Sequence, residues 1–189
     1  MADQEKHPFW QFSINVYAQD GVPEACIRLQ EEHGIDVNVL LFCCWSAAIG
    51  NGALTREELA AARNAVMSWN REIVQGLRAV RNFLKDGYDG IDIADSEALR
   101  QRVLGIEINA EHKEQIRLAA AVPLSENLMR SDSKKLIDCV DTISCYFGLV
   151  RTKNNESGHA ALILLLTQVF PEVSSVSYTH LTLPTILRV

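Results

Sequence analysis

From Gly34 to Gly52 the chain is apolar at almost every position, GIDVNVLLFCCWSAAIGNG. Residues 37, 40, 41, 44, 45 and 48 keep the i, i+3, i+4 spacing of one helix face. Val39, Phe42, Cys43, Ala47 and Ile49 fill much of the other side. A helix that is apolar nearly all round is a buried one. The pattern predicts a central helix over about 36–49, with Asp36 as its N-cap and glycines closing both ends.

The other elements follow from the same reading. Pro8 opens a short helix to about Ala18, with Phe9, Phe12 and Val16 on one face. Asp20 and Gly21 break it, Pro23 starts the next, and Gly34 suits the left-handed position just past its end. Thr55 and Glu58 form a capping box for a long helix. Its apolar stripe runs 59, 62, 66, 69, 73, 77, 80, 84, with a bend expected near Ser68 or Gly76. A glycine-containing linker, 86–95, leads to a helix capped by Ser96, with Leu99, Val103, Ile106 and Ala110 as its inward stripe, ending before Pro123. Two further helices are expected, from Ser133 through residue 150 and from Ser157 to Phe170. The sum is an all-α, single-domain bundle of six or seven helices around the buried central one, occupying residues 1–172.

Composition adds limits. A net charge of −6 works against phosphate backbones, so no nucleic-acid partner is expected. Cysteines 26, 43, 44, 139 and 145 are odd in number and include no C-x-x-C, which suits small apolar residues in a reducing compartment. The first residues lack the charge and apolar pattern of a signal peptide, and the apolar runs at 39–49 and 160–166 are too short to span a bilayer. The expectation is a cytoplasmic protein with no membrane partner.

Several strings carry a resemblance. They are Trp10 with Tyr17-Ala18, then G-V-x-x-A-C-x-x-L-Q from Gly21 to Gln30, and G-x-D-V-N-x-L-L from Gly34 to Leu41. Trp45, Trp69 and L-R-x-V-R from Leu77 to Arg81 continue them. From Trp10 to about Ala120 the chain resembles a family of uncharacterised bacterial proteins, mostly proteobacterial, classed as a domain of unknown function. The resemblance implies a helical fold and supplies no activity. Residues 176–185, VSYTHLTLPT, instead resemble translated sequencing-adapter sequence, so 173–189 is expected to be a non-native or disordered tail.

Candidate chemistry is sparse. Glu107 and Glu111 share a helix face with Glu114 and His112 nearby, but the di-metal signature Glu-x-x-His is missing, and a solvated face is the simpler expectation. Asp86, Asp89, Asp92 and Asp95 recur every three residues without the EF-hand pattern. No metal ligand and no cofactor is assigned. Cys43-Cys44, inside an apolar helix, is read as packing and not as a nucleophile. Phosphate-loop, dinucleotide, nucleophile-elbow and zinc-protease motifs are absent, so no catalytic residue is named. Arg71, Arg78 and Lys85 are seven residues apart and Arg81 lies between them. This gives a basic line in which Arg71, Arg78 and Arg81 are the candidate partner contacts, against a reading in which they pair with acids of the chain itself.

Two functional expectations remain. The first is a helical protein acting through association, with itself or with another protein. The alternative is a small-molecule binding protein or enzyme, with a pocket between the central helix and the N-terminal aromatic helix. Its candidate residues are Gln30, Asp36, Asn38, Trp45 and Tyr17. Asn38 draws attention because a buried amide needs hydrogen-bond partners and no cap role accounts for it.

Overall fold

The computed structural model describes residues 7–152 and 156–173. Of the expected tail, 173–189, all but Val173 lies outside the described residues, and Val173 is buried in the core. Eight α-helical segments occur: α1 Pro8–Tyr17, α2 Val22–His33, α3 Val37–Ala48, α4 Arg56–Trp69, α5 Gln75–Phe83, α6 Ile93–Ala121, α7 Asp132–Val150 and α8 Glu156–Val169. A five-residue π turn, Asn70–Val74, joins α4 to α5 without a break. Counted as continuous rods among the described residues, these are seven helices in one all-α bundle, as the apolar pattern predicts.

The α3 helix is the centre. Nine of its residues, from Asn38 to Ala47, are buried. It packs against α7 and α6 and touches α1, α2 and α8 as well. Its entry is fixed by Asp36, whose carboxylate accepts from the Asn38 backbone N–H at 2.9 Å. Just before it, Gly34 takes the left-handed conformation that ends α2 and donates its N–H to Gln30 at 3.0 Å. After it, Gly50 has a φ of 83°, and a Cβ there would lie 2.2 Å from the Asn127 carbonyl oxygen. Only glycine allows the 124–130 loop to close over that end of α3.

Side-chain caps set other boundaries. Thr55 and Glu58 exchange both capping-box bonds, at 3.2 and 2.9 Å. Asp92 caps α6, accepting from Ala94 N–H at 2.8 Å. Ser96 therefore lies one turn inside the helix and is not its cap; its hydroxyl donates to the Leu84 carbonyl at 3.1 Å.

Two expected stripes are rotated. The π turn inserts a residue into the long rod, which turns everything after it by roughly a quarter of a revolution or more. Val74 becomes the buried position, and Ile73 and Val80 face outward. On α6 the inward residues are Val103, Glu107, Ala110, Glu114 and Leu118, whereas Leu99 and Ile106 are exposed. The continuous apolar core holds no residue between Val66 and Leu118. The antiparallel pair formed by the π turn, α5 and the first half of α6 thus projects as an arm beyond the core.

Candidate functional site

The base of the arm meets α3 through polar groups. Glu114 is 0% exposed. Its Oε2 accepts from Asn38 Nδ2 at 3.0 Å, and Asn70 Nδ2, from the π turn, donates to Oε1 and Oε2 at 3.1 and 3.3 Å. Gln115 Nε2 donates to Asn38 Oδ1 at 2.8 Å. The Asp36 and Glu114 carboxyls are close enough to share a hydrogen bond once one of them is protonated. That bond requires one proton between two acids. Burial, followed by the neighbouring Asp36 charge, pushes Glu114 up to about 9, so Glu114 is the group that keeps the proton at neutral pH. Burial also raises Asp36. Tyr146 of α7 closes the far side, its hydroxyl accepting from the Asp36 N–H at 2.9 Å.

A charged layer lies beside this network. Arg78 donates to Glu107 at 2.9 Å, to Glu111 at 2.6 Å and to the Gln30 side-chain oxygen. Arg81 reaches the second oxygen of Glu107 at 2.5 Å. Burial opposes the Arg78 charge, but the bonds to Glu107 and the charge of Glu111 carry its basicity above the usual range. For Glu107 burial is likewise outweighed, by Arg81 and Arg78, and its carboxyl is held low. Glu111 goes the other way: burial dominates and its carboxyl is raised.

The expected site residues are therefore divided. Asp36, Asn38 and Gln30 belong to one continuous polar system with Arg78, Glu107, Glu111 and Glu114. Tyr17 flanks it; burial, then the charge on Cys26 and that of Glu111, pushes its hydroxyl up to about 12. Trp45 stands apart, stacked on Phe9 with centroids 5.0 Å apart and close to Phe42. Of the three arginines, Arg78 and Arg81 turn inward onto α6 and make no basic line with Arg71, which is paired with Glu72 at 2.6 Å on the surface. Glu114 is no part of a solvated face. Among the described residues no group of three or more His, Cys, Asp or Glu side chains is arranged to hold a metal ion. Cys43 is fully buried, and burial raises its thiol well above the ordinary value, the opposite of what a nucleophile needs.

Sequence reasoning missed Asn70 and Gln115, and set Glu114 aside as part of a solvated face. Glu107 and Glu114 do follow Val103 and Ala110 at steps of four and three, so helical spacing carried a signal. It was masked because the same helix offers Leu99 and Ile106 on a rival stripe.

The fold and this site define a helical domain whose centre is tied to a projecting arm by a buried acid–amide network. The chain belongs to the family described as protein of unknown function (DUF2390), whose model matches residues 8–118. Every network residue except Tyr146 lies within that match. No curated protein and no solved structure matches the chain.

Proposed function

We propose that this protein acts through association with protein, and that the arm is the surface it uses. The observation that supports this is α5, which buries none of its residues although it is amphipathic. Val80 is 51% and Phe83 64% exposed, and Leu99 and Ile106 on α6 are 47% and 55% exposed. Apolar side chains gathered outside the core mark a contact surface. The network at the arm's base fixes the direction in which that surface is presented. The reading is for a cytoplasmic protein, supported by five cysteines none of which is disulfide-bonded. Among the described residues no helix is long and apolar enough to cross a membrane.

A second reading, a small-molecule site at Asp36, Asn38 and Glu114, is favoured by one observation. The buried Gln115 side-chain oxygen has no hydrogen-bond partner, so an acceptor stands open beside the acid pair.

The test is a triple substitution, Val80→Asp, Phe83→Asp and Ile106→Asp, compared with wild type as tagged protein recovered from lysate. The substituted protein is expected to lose its retained partner, own copy or other, while melting within a degree or two of wild type, because all three side chains are exposed. The same retained species on both proteins would refute the reading.

A further inference from the structure

Along α6 one stripe is exposed from end to end: Asp92, Asp95, Leu99, Arg102, Ile106, Asn109, Lys113 and Arg117. Steps of three and four keep these residues on one face over about 32 Å from 92 to 113. The order of chemistry along it is the informative part. Acids occupy the N-terminal end, two large apolar residues the middle, and bases the C-terminal end. Such a stripe is complementary to itself when reversed.

We propose that the partner of the arm is a second copy of this chain, paired antiparallel through α6. This rests on the association reading above and names its occupant. A two-fold axis near Arg102 sets Leu99 and Ile106 of each copy beside those of the other. It lays Asp92 of one copy beside Lys113 of its mate at both ends, with Asp95 and Arg117 about one helical turn from that contact. Parallel pairing would set acid on acid and base on base, which opposes association. The two Arg102 side chains meet near the axis, and their long stems let the charges turn outward to water. A two-fold contact of this kind closes on itself and gives a dimer, not a fibre. Leu99 and Ile106 are apolar residues of α6 that the chain's own core does not cover, and the pairing covers both.

The experiment is sedimentation of the full chain over a concentration series, with Leu99→Lys, Ile106→Glu, and an equimolar mixture of the two. Wild type is expected to dimerise. Each single variant is expected to raise the dissociation constant at least about tenfold. The mixture is expected to recover dimer, because antiparallel pairing places the introduced ammonium at 99 beside the introduced carboxylate at 106 and leaves an apolar contact on the other side. Melting curves of the single variants check that they fold. Self-pairing is overturned if wild type stays monomeric, if either variant dimerises like wild type, or if the mixture remains monomeric. A monomer that still retains another protein through Val80 and Phe83 overturns self-pairing alone. A monomer with no arm-dependent retention overturns the association reading as well.

Discussion

Replacing Arg78 with alanine is expected to destabilise the fold by about 3 kcal/mol, the low end of what removal of one partner from a buried ion pair costs. Among the described residues Arg78 is the one side chain that donates to Glu107, Glu111 and Gln30 together. Its loss strands Glu111 among buried groups and leaves Glu107 to Arg81 alone. Denaturant titration measures the effect. Adding Glu111→Gln to Arg78→Ala removes the stranded charge and is expected to recover part of the loss, a coupling read from the double-mutant cycle. An Arg78→Ala protein within about 0.5 kcal/mol of wild type, the range of ordinary surface substitutions, would show that the layer carries no structural weight.

Glu114→Gln is expected to raise stability at alkaline pH. In the folded chain Glu114 keeps its proton up to about 9, against an ordinary value of 4.5. A folded value above the unfolded one means that the stabilising contribution is complete below 4.5 and is lost as pH climbs toward 9. Wild-type stability therefore falls across that window, by up to about 1.4 kcal/mol per pH unit, and the rise in Asp36 acts in the same direction. Glutamine is neutral at every pH and still accepts from Asn38 or Asn70. The variant is expected to melt above wild type at pH 8.5, with the gap widening from pH 6. Parallel melting curves, or a variant less stable than wild type at pH 8.5, would contradict a shared proton.

These two effects come from groups that the chain hides well. Local features were legible because each has a local cause. The α3 helix is apolar on all sides, Thr55 and Glu58 cap within one turn, and Gly34 sits where a left-handed residue is needed. The polar network has no such local cause. Asn38 finds Glu114 across 76 positions, Asn70 finds it across 44, and Gln115 reaches Asn38 across 77. Asn38 was singled out because an amide in an apolar turn lacks an explanation, whereas Glu114 was hidden among the charges of a long helix. The arm was missed for a different reason. A π turn leaves no strong mark in sequence, yet it rotates the rest of its own rod, and periodicity alone then assigns Ile73 and Val80 to a core they do not enter, as the rival stripe of α6 does for Leu99 and Ile106.

That misassignment is informative. Side chains patterned for burial and then left outside the core are what an association surface looks like before its partner is present. Carbene footprinting of the apolar arm tests this most directly, by comparing a dilute purified sample with the same chain in lysate. The account predicts that Val80, Phe83, Leu99 and Ile106 lose labelling in lysate while exposed residues off the arm, such as Met129 and Ile137, do not. Equal labelling of the arm in both samples would contradict it.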